Sequence, residues 1–209
     1  MGGREPYLIG LTGNIATGKT TVGRMLVDLG AELIDADKVA HRVMRPGGRA
    51  YDRVVDAFGE SILNEDGTID RRALGEIVFN DPPLLVRLES LVHPPTIAAV
   101  EERIRESPAP VVVVEAIKLL ESGMAERYHA LWVTACPPEV QLERLMEGRG
   151  LSREDARERI RAQPPQSEKV ARADIIIDTG ETLEETRAQV LRSWKNRVVP
   201  QVPSLSSPF

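Results

Sequence analysis

No feature restricts this chain more than Gly13-Asn14-Ile15-Ala16-Thr17-Gly18-Lys19-Thr20, a complete G-x-x-x-x-G-K-[ST] pattern set between an apolar run, Tyr7 to Thr12, and a helical pattern, Thr21 to Leu29. A strand that passes through a glycine-rich loop directly into a helix gathers successive backbone N–H groups and the positive end of the helix around one point, and the glycines let the backbone approach a ligand closely. Such a loop is built for polyphosphate. Gly13, Asn14, Ile15, Ala16, Thr17, Gly18, Lys19, Thr20 and Thr21 are accordingly read as the ATP-phosphate cradle, with Lys19 reaching the β and γ phosphates. Thr20 offers its hydroxyl to Mg2+, a cation that takes oxygen ligands. The bland alternative, a glycine turn that caps a helix and holds nothing, requires the whole pattern and its strand-to-helix setting to coincide by accident.

Further strand-like runs recur at Glu32 to Asp35, Val111 to Glu115, Leu131 to Ala135 and Ile175 to Asp178, with helical patterning between them, and this alternation predicts an α/β fold with a parallel sheet flanked by helices. Val111-Val112-Val113-Val114 and Ile175-Ile176-Ile177 do not alternate with polar residues, which predicts central strands covered on both faces. The strand signal vanishes over residues 45–110, where turn residues punctuate helical stretches, so a helical acceptor-binding insertion is expected there. The core is then 1–44 and 111–196. A second helical excursion, about 139–170, carries the charged stretch Glu147 to Arg161 and returns at Pro164-Pro165; it reads as a lid or as an ordinary solvated helix pair. Residues 197–209, with Pro200, Pro203, Pro208 and serines, read as a flexible tail.

At 209 residues and 42% apolar composition the chain can bury one core with a small subdomain riding on it. The net charge of −5, with acids and bases interspersed, gives no basic stripe, so no nucleic-acid partner is expected; a local basic cleft for a phosphorylated ligand is compatible. The single Cys136 makes neither an intramolecular disulfide nor a zinc cluster, which fits the cytoplasm. The N-terminal apolar run is too short for a signal peptide or spanning helix, and Pro6 stands where a myristoylation signal starting at Gly2 would need Ser or Thr, so no membrane association is expected.

The second strand ends in Asp35-Ala36-Asp37, two carboxylates at the carboxyl edge of the sheet, where open α/β folds bind ligands. Asp35 can order a metal-bound water near Thr20, while Asp37 accepts a proton from, or orients, an attacking hydroxyl. Asp37 also precedes Lys38-Val39-Ala40 as a helix N-cap would, and the two roles are compatible. The loop by itself does not choose among kinase, GTPase, mechanical ATPase and switch. The chain has no Asn-Lys-x-Asp guanine-reading signature and no second strand ending in an acidic pair of the oligomeric-ATPase kind.

Leu11-Thr12-Gly13 leading into the loop, then Leu29-Gly30, then Ile34-Asp35-Ala36-Asp37, resemble the opening of the dephospho-CoA kinases in order and spacing. Phe79 to Pro82 and Leu88-Glu89-Ser90-Leu91-Val92-His93-Pro94 resemble that family's acceptor-binding insertion, with His93-Pro94 as a helix end. Gln141-Leu142-Glu143-Arg144-Leu145, Arg159-Ile160-Arg161-Ala162-Gln163 and Ala173-Asp174-Ile175-Ile176-Ile177-Asp178 resemble its lid and last strand, so the likeness runs to about Asn196. It implies transfer of the ATP γ-phosphate to the ribose 3′-hydroxyl of dephospho-CoA with Mg2+. It implies Asp37 as the catalytic and acceptor-side carboxylate, Lys19 and Thr20 as phosphate and metal contacts, and Arg144 as a lid charge near the phosphates. An arginine delivered by lid closure neutralises transition-state charge and helps exclude water; by itself, Arg144 reads first as a surface ion-pair residue. His93 is a candidate acceptor contact or a structural helix end.

The chain departs from the family where an Asp and a Pro-Leu-Leu-like segment usually follow the third strand: here stand Glu115-Ala116-Ile117-Lys118-Leu119-Leu120-Glu121. Glu115 remains a candidate metal-side carboxylate, its oxygen displaced by about one carbon–carbon bond relative to Asp, and is otherwise a polar residue ending a strand. Gly148-Arg149 replaces an Arg-Asp pair, so Arg149 substitutes from one position along or the lid grips differently. The alternatives are a kinase for another nucleoside- or nucleotide-like molecule, and a non-catalytic ATP-binding switch.

Overall fold

Four consecutive valines can all be buried only in a strand covered on both faces, and Val111 to Val114 occupy such a strand with 0% exposure each. The computed structural model describes residues 5–79 and 81–205; Gly2 and the tail residues 206–209 lie outside them. Strands β1 (Tyr7–Thr12), β2 (Glu32–Asp35), β3 (Val111–Glu115), β4 (Ala130–Ala135) and β5 (Ile175–Asp178) form a parallel sheet in the order β2-β3-β1-β4-β5. β1 lies at its centre, with Tyr7 opposite Val111 and Ile9 opposite Ala130. Gly10 is required there because a Cβ would stand 2.6 Å from Leu119 and 2.7 Å from Tyr128.

Ile175-Ile176-Ile177, expected in a central strand, instead forms the sheet edge. β5 pairs with β4, Ile177 turns into the core, and Ile176 is 48% exposed. An apolar run this short does not distinguish a covered strand from an edge strand.

The described residues divide into two compact units, one containing the chain up to Ile34 and from Glu106, the other Asp35–Arg105. In the first, helices α1 (Lys19–Asp28) and α9 (Leu183–Ser193) pack against β1, β3 and β4 through Val22, Leu26, Val190, Ile9, Leu11, Val113 and Trp132. The expected flexible tail belongs to this core as far as it is described. Trp194–Val198 forms a π-helical turn, and Val198 (0% exposed) and Val202 (8%) join the same cluster. Pro200 and Pro203 hold φ values that suit the 3-10 turns Val199–Gln201 and Pro203–Leu205, so prolines that suggested disorder shape a short wrap.

The helical excursion of this unit is three helices, α6 (Pro138–Arg149), α7 (Arg153–Arg161) and α8 (Gln166–Ala171). Gly150, in the left-handed region at φ 63°, closes α6, and Ser152 caps α7 by accepting from the Asp155 N–H. Charged on most faces, α7 turns Ala156 inward, where it packs with Leu142, Leu145 and the loop residue Ile15.

The second unit begins ten residues before the expected insertion start, because α2 (Ala36–Val43) packs with it: Val43 clusters with Ala50, with Val54 of α3 (Tyr51–Phe58), with Leu74 and Val78 of α4 (Arg71–Val78), and with Val92. His93-Pro94, expected to end a helix, lies within a continuous α5 (Pro82–Glu106). Pro94 and Pro95 forfeit two helical N–H donors. The helix continues across them on a buried face formed by Val92, Thr96 and Val100, where the Thr96 hydroxyl donates to the Val92 carbonyl at 2.7 Å.

Replacing Val198 with Ala should remove about 2 kcal/mol of stability, the transfer and cavity cost of two methyl groups at a fully buried site. Urea unfolding checks it: the midpoint should fall with the slope unchanged, and a midpoint equal to that of the unaltered chain contradicts tail packing.

Candidate active site

β1 hands the chain to α1 through a loop whose shape depends on close backbone approach. Gly13 has φ 151°, and a Cβ there would lie 2.4 Å from Thr134 Oγ1 and 2.6 Å from Thr17 Oγ1. Those two hydroxyls are hydrogen-bonded at 2.8 Å. Gly18, at φ 84°, sits at the N-cap of α1, and no side chain caps that helix. The first N–H groups of α1, at Lys19 and Thr20, thus have no capping side chain, as an anion site needs. Ala16, at φ 59°, is the one non-glycine with positive φ among the described residues, a conformation that costs about 1–2 kcal/mol.

Neighbouring elements hold this conformation. Ile15 donates its N–H to Gln163 Oε1 (2.8 Å), and its carbonyl accepts from Gln141 Nε2. Asn14 donates its N–H to Gln166 Oε1 and its Nδ2 to the Pro164 carbonyl, both at 2.9 Å. Asn14 Oδ1 is buried and has no hydrogen-bond partner. Arg144 donates to the Ala16 carbonyl (3.4 Å) and to the Thr179 hydroxyl (3.1 Å), while Thr179 donates to the Thr17 carbonyl. The guanidinium assigned to lid closure thus lies half-buried against the loop, whereas Arg149 is exposed at the end of α6. Beside Arg144, burial raises the Cys136 thiol pKa, opposed by the Arg144 charge and a Thr179 hydrogen bond.

Lys19 Nζ donates to the carbonyls of Gly13 (2.9 Å) and Asn14 (3.0 Å), which keeps a buried ammonium inside the loop. Thr20, exposed at the start of α1, donates its hydroxyl to Glu115 Oε1 at 3.2 Å. Glu115 is 7% exposed, so its longer stem still brings the carboxylate to Thr20. A hydroxyl and a carboxylate oxygen suit Mg2+, which takes its remaining ligands from phosphate and water. Among the described residues no cluster of three or more His, Cys, Asp or Glu side chains could hold a metal unaided. Thr21 is exposed in the first turn of α1 and donates its N–H to the Gly18 carbonyl.

In the second unit, Asp35 is the cap of α2 and Asp37 stands in its first turn, which reverses the capping expectation. The reason is that β2 ends at Asp35, whose extended backbone lets its Oδ1 accept the Lys38 N–H at 2.9 Å. Its other oxygen pairs with Lys38 Nζ at 2.9 Å. Burial raises the Asp35 pKa, but the Lys38 bonds and charge outweigh it, leaving it below the usual carboxylate value. Asp37 is exposed, one turn before His41. Burial, then the Arg71 charge, lowers the His41 pKa against the pull of Asp37 and Asp35. His93 is half-buried in the interior of α5.

The model of the dephospho-CoA kinase family matches residues 7–185. The chain belongs to this family. A dephospho-CoA kinase of Carboxydothermus hydrogenoformans is 44% identical over 194 residues, 90% of this chain and 94% of the relative. The crystal structure of a Thermus thermophilus protein superposes with TM-score 0.83 at 34% identity, covering 93% of this chain and 99% of the other. A dephospho-CoA kinase from Campylobacter jejuni gives 0.67 at 30% identity, covering 93% and 98%.

The dephospho-CoA kinase likeness singled out Gln141 and Gln163 as matching segments but attached no chemistry to them, and Gln166, Thr134, Thr179 and Lys169 went unmarked. The available signal was compositional: uncharged Gln163 and Gln166 flank Pro164-Pro165 in a stretch otherwise dense in charge. No helix among the described residues is long and apolar enough to cross a membrane. Gly13→Ala should abolish saturable MgATP binding in a chain that still folds, because the added methyl cannot fit beside Thr134 and Thr17. Calorimetric titration decides it, and near-unaltered affinity would refute this geometry of the loop.

Proposed function

We propose that this family member transfers the γ-phosphoryl group of ATP to the 3′-hydroxyl of the ribose of dephospho-CoA, giving CoA and ADP. The observation that carries the reading is the phosphate cradle beside the Thr20–Glu115 pair, in a chain that matches the family model over residues 7–185. Lys19 and the N-terminal amides of α1 would bind and orient the β and γ phosphates, since phosphoryl transfer needs alignment and charge neutralisation more than strong base chemistry. Thr20 and Glu115 would hold Mg2+ with the phosphates, and the ion would supply charge neutralisation there. Asp35 would contribute at most through a bound water, because both its oxygens are engaged by Lys38.

The acceptor oxygen forms a bond to the γ-phosphorus as the bond from that phosphorus to the β-γ bridging oxygen breaks. ADP leaves with the bridging oxygen, and Asp37 orients the acceptor hydroxyl and takes its proton. The exposure of Asp37 supports this role, as does the assignment of the helix cap to Asp35 instead. Arg144 would add positive charge at Ala16 and limit water access. His93 would contact the acceptor within the second unit. The three helices of residues 138–171 would act as a lid, with the bonds of Gln141, Arg144, Gln163 and Gln166 to the loop holding its closed position. The reaction belongs in the cytoplasm on this reading, supported by ATP as donor and by the free, half-buried Cys136.

Purified protein given ATP, Mg2+ and dephospho-CoA should yield CoA identified by mass spectrometry, and Lys19→Ala should yield none. MgATP binding with no phosphorylation of dephospho-CoA would defeat the proposed acceptor, and a panel of nucleosides and nucleotides would then reveal whether another hydroxyl is used. Asp37→Asn should lower kcat by about 100-fold or more while MgATP affinity stays within about threefold. Glu115→Gln should raise the Mg2+ concentration for half-maximal rate by about tenfold; equal Mg2+ dependence would remove Glu115 from the metal's surroundings.

A further inference from the structure

We propose that Gln163, Gln166 and Lys169 are positioning residues, and that the segment they span is a clasp setting the phosphate cradle and the strand-end carboxylate Glu115 from one side. The proposal rests on the ATP-binding part of the function above and extends it to residues with no assigned role. Gln163 accepts from Ile15 N–H, and Gln166 accepts from Asn14 N–H while donating its Nε2 to the Thr134 carbonyl at 2.9 Å. Between them the Pro164 carbonyl accepts from Asn14 Nδ2. Two successive backbone amides, immediately before the strained Ala16, thus find their acceptors on side chains from one remote segment, not in a strand or helix. Local geometry alone gives these amides no partner, and an unpaired buried amide is costly, so the loop's shape depends on that segment staying in place.

The other end of the clasp grips the second half of the nucleotide site. Lys169 is 2% exposed and donates its Nζ to the Ile117 carbonyl and to Glu121 Oε1, both at 2.8 Å. Ile117 lies two residues beyond Glu115, and its carbonyl also accepts the Thr12 hydroxyl at 3.1 Å. The Ile117 carbonyl therefore ties together the end of β1, the exit of β3 and α8. A fully buried ammonium is an expensive way to hold a loop, and an apolar side chain of similar volume often serves stability as well. Its directed bonds do what an apolar side chain cannot: they fix the backbone that follows Glu115, and with it the carboxylate that meets Thr20. Gln166 and Lys169 are three residues apart on one short helix and share a face, so α8 transmits the position of one contact to the other.

The test uses the full chain and two readouts. Calorimetry with MgATP should show Gln163→Leu and Gln166→Leu weakened by about tenfold or more each, the loss expected for a hydrogen bond to a backbone amide left unpaired. In turnover, KM for ATP should rise while KM for dephospho-CoA stays within about twofold, a split that general destabilisation would not produce. Lys169→Met should raise the Mg2+ requirement, and Lys169→Arg should restore most of it. Gln166→Glu guards against loss of folding: it keeps an acceptor for Asn14 but sets a carboxylate against the Thr134 carbonyl, so it too should weaken MgATP binding. Folded variants that bind MgATP like the unaltered chain overturn the clasp and leave the ATP reading intact; an unaltered chain that binds no MgATP overturns the ATP reading itself.

Discussion

Everything in the nucleotide half of this molecule depends on how closely the backbone at Gly13 approaches Thr134. That contact leaves no space for a side chain, and it sets the direction in which the chain leaves β1. From there, the loop must turn back through Ala16 in an unfavourable conformation to start α1 at Lys19. A strained loop of this sort persists only when its surroundings over-determine it, and here they do. Gln141, Arg144, Gln163 and Gln166 each bond to its backbone, and Ile15 packs into the apolar cluster of α6 and α7. The helices of the charged excursion are thus part of the phosphate site, because without them the loop's carbonyls and amides would have to find water.

Much of this was legible in the residues. The G-x-x-x-x-G-K-T pattern carries its own geometry, and strand-like runs located every strand of the described sheet. What was not legible depended on long-range partners. Whether Ile175-Ile176-Ile177 is central or peripheral depends on what lies beyond it, and an apolar run does not encode that. Whether Pro200 and Pro203 end a fold or bend around one depends on whether Val198 and Val202 find an apolar face. The glutamines are the plainest case, since their role comes from amides about 150 residues away in sequence. No local propensity marks such a pairing.

The second unit shows a related conflict between local and distant forces. Pro94-Pro95 argues for a helix end, yet α5 continues, because a buried face on both sides of the break outweighs two missing donors. Asp35 and Asp37 divide their tasks by register. The residue at the end of β2 has the extended backbone a cap requires, and the one two positions later stands exposed in the first turn of α2. Glu115 resolves the departure from the family's usual residue in the same local way: its longer stem still ends against Thr20.

The central place of β1 also imposes an order of events during synthesis. β1 pairs with Val111 to Glu115 on one side and Ala130 to Val133 on the other, so it must wait for both partners while the whole of Asp35–Arg105 is translated. That intervening unit has its own apolar cluster, built from contacts nearer in sequence, and can close in the interval. Pulse-labelled hydrogen exchange would display the sequence of events as early protection in α4 and α5 and late protection at Ile9. A nascent β1 with unpaired edges is a template for intermolecular pairing until β3 and β4 have been made.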